Sequence, residues 1–414
     1  MRNWAGNVTF GATRIERPRT IAELQDVVRR AEKIRVVGSG HSFNRLADTD
    51  GTLISLSDFE RVMHIDSAAQ TVTIDGGQTY ADVVQALHDA GHGLAAVASL
   101  PHITVAGAIG TATHGSGDAN KNLSAVVRAL TLVTASGECV TYRRGDAEFD
   151  GAVVNLGALG VVTELTLDLV PTFNIRQNIY LDLPDASVMD NFDAIMSRAY
   201  SVSLFTRWQG EVVDQLWVKA LDGGEGPVSE IFGARAADRP YHPIPHLDGS
   251  VCTGQMGIPG PWHDRLFHFP VGQQASAGAE LQSEYFVARK DAPDAFRALH
   301  GIQAQIAPAL QISEIRSVAA DNLWLSTAYG QDTIGFHFTW KLDEAAVAIA
   351  GGAVEAALAP FRPRPHWAKV FSIPAEAVRP LYPKLDDFRA LANSLDPAGK
   401  FRNEMIERLI FAPT

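Results

Sequence analysis

The sequence predicts an α+β protein of two domains. Three observations carry that prediction. Strand and helix patterns alternate through the first 170 residues, two glycine-rich segments interrupt them at 38–44 and 99–117, and the character changes after Pro171 to strand-like runs separated by helical patterns. A chain of 414 residues, 46% hydrophobic and 20% charged, is long enough to bury more than one core.

Thr20-Ile21-Ala22-Glu23 reads as a capping box, with Thr20 as N-cap and Glu23 reaching back to it, and Ile21, Leu24, Val27, Val28 and Ala31 recur at helical spacing. Ile34 to Val37 is a short buried strand that runs into Gly38-Ser39-Gly40-His41-Ser42. Glycines after a strand let the backbone turn sharply, and successive N–H groups in such a turn form an anion nest suited to a pyrophosphate. A histidine in that loop suggests a tethered flavin. Taken alone, Gly-x-Gly is weak, and a tight turn with a core histidine explains it about as well. Thr52 to Leu56, His64 to Ile65 and Thr71 to Ile74 read as strands, and a second helix starts near Thr79 and stops at Gly91. The small residues between Ser99 and Gly117 let backbone lie against a large flat ligand. Strands follow at Ala129 to Thr134 and Val140 to Tyr142, and Leu156 to Thr163 leads into an alternating strand, Glu164 to Leu169.

Beyond Pro171, strand-like runs at Gln215 to Lys219, Glu284 to Val287, Glu314 to Val318 and Ile334 to Lys341 alternate with helical patterns at Ala292 to Ile306 and Ala345 to Ala359, which suggests an antiparallel sheet. Residues 223–249, rich in Gly, Pro and charge, read as a long surface excursion. Glu314 and Arg316, two apart on a strand, face the same side of the sheet, and His337 and Thr339 repeat the spacing on a neighbouring strand. By residue type alone this is a solvated sheet face with ion pairs, or a polar site.

Several classes are disfavoured. A net charge of −12 without a basic stripe lacks the footprint of a nucleic-acid binder. Cys139 and Cys252 are far apart and form no CxxC. His88 and His92 are separated by Gly91, His242 and His246 flank prolines, and no HExxH occurs, so no metal is expected. No apolar leader and no run of about 18 apolar residues is visible, so the expectation is a cytoplasmic chain without a membrane partner.

Taken together, these motifs resemble the vanillyl-alcohol-oxidase class of flavoproteins, and within it the sugar-alcohol and sugar-lactone oxidases, the alditol oxidases above all. The resemblance covers nearly the whole chain: Asn3-Trp4-Ala5-Gly6-Asn7, Gly38 to Asn44, Ala98-Ser99-Leu100-Pro101-His102, Thr113-His114-Gly115-Ser116-Gly117, Glu314-Ile315-Arg316, His366-Trp367-Ala368-Lys369 and Asp396-Pro397-Ala398-Gly399-Lys400-Phe401-x-Asn403. It departs at Ala368, where the family often has Gly, a change that bears on the turn carrying Lys369.

The resemblance implies a two-domain PCMH-type FAD-binding fold, with an FAD domain of residues 1–172 completed by 375–414 and a substrate cap of 173–374. It implies FAD on Val37, Gly38, Ser39, Gly40, His41, Ser42, Ser99, Thr104, Gly107, Ala108, Ile109, Gly110, Thr111, Gly157 and Val162, bonded at its 8α-methyl to His41. No cysteine lies near Ser99 to Gly117, so a single link is expected. It further implies a monomer that oxidises an acyclic polyol such as xylitol or sorbitol, with oxygen reduced to hydrogen peroxide. Arg316, Lys369, Glu314 and His337 would be catalytic, and Ser99, Glu314, Arg316, Thr339 and Lys369 would bind substrate. A sugar-lactone oxidase or dehydrogenase and a flavin protein without turnover stay open as alternatives.

Overall fold

The computed structural model describes residues 1–224, 226–272 and 280–412. Its first 170 residues form two small sheets. In one, β1 (Arg14–Glu16), β2 (Ile34–Val36) and β3 (Thr52–Ile54) run parallel in the order β1-β3-β2, with α1 (Ile21–Arg30) crossing between β1 and β2. Thr20 Oγ1 accepts the Glu23 amide, but the Glu23 carboxylate takes the Arg19 amide, one residue further back than a capping box requires. A closed box forms instead at Thr79 and Asp82, which open α2 (Tyr80–Asp89).

The other sheet is antiparallel. It contains β4 (Met63–Asp66), β5 (Thr71–Asp75), β6 (Val127–Val133), β7 (Cys139–Arg143) and β8 (Val161–Asp168), in the order β4-β5-β8-β6-β7. β8 begins three residues before the expected Glu164, because Val161 and Val162 pair with Val133 and Leu132 of β6 beyond a register shift. Val83, Val84 and Leu87 of α2, with Val105 and Ile109 of α3 (Val105–Gly110), share one core with Val72, Ile74, Leu130 and Leu165 of this sheet.

Beyond Pro171 the chain builds a large antiparallel sheet. Its long strands, β9 (Asn174–Pro184), β10 (Ser201–Thr206), β11 (Val212–Leu221), β12 (Glu280–Ala288), β13 (Leu310–Val318) and β14 (Thr333–Lys341), lie in the order β9-β11-β10-β13-β14-β12. One face carries Tyr180, Leu204, Leu216, Ile315, Phe336, Phe338 and Trp340, packed against α4 (Asp185–Met196), α5 (Ala292–His300) and α6 (Glu344–Leu358). The period of two sends the intervening residues to the opposite face, among them Trp217, Lys219, Phe205, Glu284, Glu314, Arg316 and His337. β10 escaped the sequence reading because all six of its residues are buried, so it shows no polar alternation. The helical pattern from Ala292 breaks at Gly301 into α5 and a single turn, Gln303–Ile306.

Two expectations are corrected. The 223–249 segment is not simply a surface excursion. Ala234–Ala236 within it pairs with β9, and Ile244 is buried with Leu181, Trp217 and Phe269, while the Gln215 amide donates to His242 O at 2.8 Å. Apolar burial therefore folds the segment back on the sheet. In addition, residues Glu344–Phe361 are long and apolar enough, by length and composition, to cross a membrane. In the fold, Val347, Ala350, Val354 and Leu358 of α6 are buried against the large sheet.

The C-terminal segment returns to the first half. After α7 (Leu385–Leu395), Lys400 O accepts the Ile34 amide at 2.8 Å, and Asn403 donates to Arg45 O, Leu46 O and Asp48 O. Arg35 on β2 completes the join. It is 2% exposed and donates to Leu46 O (2.6 and 2.9 Å), Leu156 O (2.7 Å), Gly157 O (2.9 Å) and Phe401 O (2.7 Å). Burial lowers its pKa to about 10, so it stays charged at neutral pH. Replacing it strands Leu156 O, Gly157 O and Phe401 O, while Leu46 O keeps the Asn403 amide, and each buried acceptor left unpaired costs about 1–3 kcal/mol. Arg35→Met is therefore expected to lower the unfolding free energy by at least about 3 kcal/mol in a denaturant titration. A loss below about 1 kcal/mol would show that the carbonyls find other partners.

Candidate active site

The first half and the large sheet enclose a cavity of about 490 Å³. One wall is backbone. The Val37 amide donates to Ile54 O and the Phe43 amide to Ala368 O, but the five amides between them, Gly38 to Ser42, donate to no group among the described residues. Gly40 sits at φ +73°, in the left-handed region. A Cβ on Gly38 would lie 2.0 Å from Thr104 Oγ1, so only glycine lets this loop press against the start of α3. Five unspent donors in a row, with small residues around them, fit a pyrophosphate held by main chain alone.

Of the residues expected to hold a cofactor, Val37, Gly38, Ser39, Gly40, His41, Ser42, Ser99, Thr104, Gly107, Ala108, Gly110, Thr111, Gly157 and Val162 all line the cavity. Ile109 does not. It is 2% exposed and packs into the core beneath α3, because the helix turns its side chain away from the wall. The His41 ring stacks on Trp4, with centroids 4.6 Å apart and planes at 24°. Burial, then Lys369 and His102, pull the His41 pKa down to about 4, leaving a neutral imidazole at physiological pH.

The facing wall is side chain. Register sets Glu284 opposite His337, His337 opposite Glu314, and Glu314 opposite Phe205, one row across four strands. Arg316 lies opposite Gly335, where a Cβ would come within 3.3 Å of Glu284 Oε1, so the missing side chain leaves room for that carboxylate. Arg316 Nη2 donates to Glu284 Oε1 at 2.8 Å, Nη1 to Ser99 Oγ at 3.4 Å, and Nε lies 3.5 Å from Glu314 Oε2. His337 Nδ1 is 3.3 Å from Glu284 Oε2, and its Nε2 is 3.2 Å from Thr339 Oγ1. Lys369 donates to Gln282 Oε1 and lies 4.9 Å over the Phe43 ring. The six expected substrate and catalytic residues, Ser99, Glu314, Arg316, His337, Thr339 and Lys369, thus line one cavity.

Burial pushes the Glu284 carboxyl up, but Arg316, His114 and His337 outweigh it and hold the group well below the ordinary range. Burial likewise opposes ionisation of Glu314, and Arg316 and His268 overcome it. Arg316 in turn is raised against its own burial by the two carboxylates. Burial lowers Lys369 to about 8, with Glu284 pulling the other way. Burial lowers His337 despite Glu284.

Sequence reasoning missed Glu284, Gln282, His114, His268 and Lys219. Glu284 and Gln282 repeat on β12 the two-residue spacing that singled out Glu314 and Arg316, a usable signal. His114 was inside a glycine-rich motif; its Nε2 donates to Glu284 Oε1 at 3.0 Å and its Nδ1 lies 2.8 Å from Gly115 O. Lys219 ended a strand-like run, and His268 has no local pattern at all.

The model of a family described as FAD binding domain matches residues 12–143, which include the open-amide loop, and that of D-arabinono-1,4-lactone oxidase matches residues 279–409. An alditol oxidase of Streptomyces sp. is 46% identical over 99% of this chain and 98% of its own length. The chain belongs to the alditol oxidase family. It is an FAD-dependent oxidoreductase. An L-gulono-1,4-lactone dehydrogenase of Mycobacterium tuberculosis is 31% identical over 99% of this chain and 98% of its own. A crystal structure of cholesterol oxidase from B. sterolicum superposes with a TM-score of 0.78 at 17% identity, over 99% of this chain and 96% of that one, a likeness of fold alone.

Proposed function

We propose that the chain oxidises a primary alcohol of an acyclic polyol, such as xylitol or sorbitol, to the aldose. The observation that carries this reading is the convergence of Glu314, Arg316, Lys369, Thr339 and Ser99 on the cavity wall of a chain 46% identical to an alditol oxidase. Several fixed donors and acceptors suit a substrate with a hydroxyl on every carbon. FAD, when bound, accepts the hydride and passes its two electrons to oxygen, giving hydrogen peroxide.

The side chains do the rest. Glu314 accepts hydrogen bonds from substrate hydroxyls, and Ser99 and Thr339 orient others. Arg316 and Lys369 place positive donors where the reacting oxygen gains charge. Neutral His337 takes the hydroxyl proton, and Glu284 beside it stabilises the resulting imidazolium. With its hydroxyl proton on His337, the carbinol carbon would be set to lose its hydride as C=O forms, the two-electron step that bound FAD would supply. His41, neutral and held against Trp4, is proposed to bond FAD covalently. A second reading, oxidation of a sugar lactone, is favoured by the lactone-oxidase model over residues 279–409, the segment that carries Glu284, Glu314, Arg316 and Lys369.

Xylitol or sorbitol added without oxygen should bleach the flavin, ethanol should do so far more slowly, and air should restore the oxidised spectrum with one peroxide per aldose. Bleaching by an aldonolactone but not by polyols would establish the lactone reading, and no recovery in air would make the chain a dehydrogenase.

Protein precipitated in acid should remain yellow, and His41→Ala should lose that colour. Flavin that washes free of the wild type would refute the bond to His41.

Lys369 is a charged donor only below about pH 8. Turnover under kcat/KM conditions should therefore fall as pH rises through that value, and Lys369→Arg should move the fall to higher pH. Lys369→Met should lower kcat on the order of 100- to 1,000-fold. Near-normal kcat with full flavin content would remove Lys369 from the mechanism.

A further inference from the structure

Behind the cavity wall lies a buried cation that the proposed reaction does not use. Lys219 on β11 is 2% exposed. Its ammonium donates to Leu266 O at 2.6 Å, Phe267 O at 3.2 Å and His268 Nδ1 at 3.3 Å. An ammonium has three hydrogens and no lone pair, so those three acceptors use it completely, and Nδ1 of His268 must accept. The ring proton of a neutral His268 then sits on Nε2, which donates to Glu314 Oε1 at 2.8 Å. Reversing the polarity would set an imidazole lone pair against a carboxylate. Burial pulls Lys219 towards a neutral amine, to about 7, and Glu314 pulls the other way; a neutral amine has only two hydrogens, so serving both carbonyls and Nδ1 of His268 takes the charged form.

The ring is also fixed in orientation. Trp217 and Phe205 meet it edge-on, with centroids at 5.2 and 5.7 Å. The His268 amide donates to Ser99 O at 3.0 Å, so the same residue ties down a second member of the wall. Burial keeps His268 low against the pull of Glu314, with Lys219 and Arg316 adding to the lowering, in line with a neutral ring.

We propose that Lys219 and His268 are positioning residues, a hydrogen-bond chain of one polarity that aims the Glu314 carboxylate at substrate hydroxyls and carries no proton during turnover. The proposal rests on the reading of Glu314 as the acceptor for those hydroxyls. Glutamine at 268 can accept from Lys219 through Oε1 and donate to Glu314 through Nε2, but cannot carry a proton. Leucine fills the space and makes neither bond.

The test is anaerobic flavin reduction by xylitol, followed in stopped flow to separate the substrate Kd from the limiting rate, in the wild type, His268→Gln, His268→Leu and Lys219→Met. His268→Leu and Lys219→Met should raise Kd about tenfold or more, with a smaller effect on the limiting rate, as expected when a buried carboxylate loses its aim. His268→Gln should stay within about threefold of the wild type in both. Equal damage from Gln and Leu would make His268 a proton carrier, and a wild-type Kd in His268→Leu would leave it a packing residue. Either result overturns the proposal. Spectra of the wild-type holoenzyme labelled with 15N-histidine give a readout free of turnover and of variant folding. The signal missing from His268→Gln should be the Nε2–H tautomer from pH 6 to 8, and an Nδ1–H or doubly protonated ring overturns the chain of polarity. A wild type that xylitol fails to bleach overturns the polyol reading instead, and the tautomer still decides the relay.

Discussion

A guanidinium held between two carboxylates, all three out of water, sets the terms for the rest of this structure. Arg316 bonds Glu284 at 2.8 Å and lies 3.5 Å from Glu314, and each is almost fully buried. Taking such ions from water costs several kcal/mol apiece and is recovered only where geometry is good and the remaining donors and acceptors are met. The fold meets most of them from several sides, leaving Arg316 Nε with only its 3.5 Å approach to Glu314 Oε2. His114 reaches Glu284 from the first half, His268 reaches Glu314 from a loop, and Ser99 reaches Arg316. Gly335 supplies the empty volume in which the Glu284–Arg316 pair fits. Removing any one partner leaves a charge buried without its complement, so the site is organised as a unit.

The two walls of the cavity divide the chemistry by type of donor. One side offers main-chain amides from a loop so tight that Gly38 admits no side chain. Amides are neutral and cannot move far, which suits an anion held permanently. The other side offers charged side chains on a long-stranded sheet braced by three helices. Long strands hold Glu284, His337 and Glu314 in one register row, so their spacing is that of the β-ladder and not of flexible rotamers. The loop carrying Lys369 joins the walls, since Ala368 O accepts the Phe43 amide and Lys369 covers the Phe43 ring. Alanine at 368 is thus compatible with the turn there.

Burial also determines which groups are charged. His41, His268, His337 and His366 are all pulled down, chiefly by loss of water, with nearby cations adding to the effect. On the sheet-side wall of the cavity, positive charge therefore resides on Arg316 and on Lys369, and these neutral rings remain available to accept protons or to fix polarity.

The parts of the site legible in the sequence rest on local physics. A glycine pair after a strand, a histidine in its loop, and Glu314 and Arg316 two residues apart each follow from backbone sterics or from the period of a strand. The α+β class follows from the same patterns, as does the change of architecture after Pro171. Even local reasoning slipped where a side chain's direction depends on its surroundings: Ile109 turns into the core, and Glu23 caps one amide away from the expected one. Tertiary structure alone decided which groups neutralise which. Glu284 meets a histidine 170 residues away, Glu314 one 46 residues away, and Lys219 is hydrogen-bonded to that same ring. These partners are chosen by strand register and by the packing of two halves, where a buried charge must find its complement in space. Distance along the chain does not enter that requirement, so no local pattern encodes it.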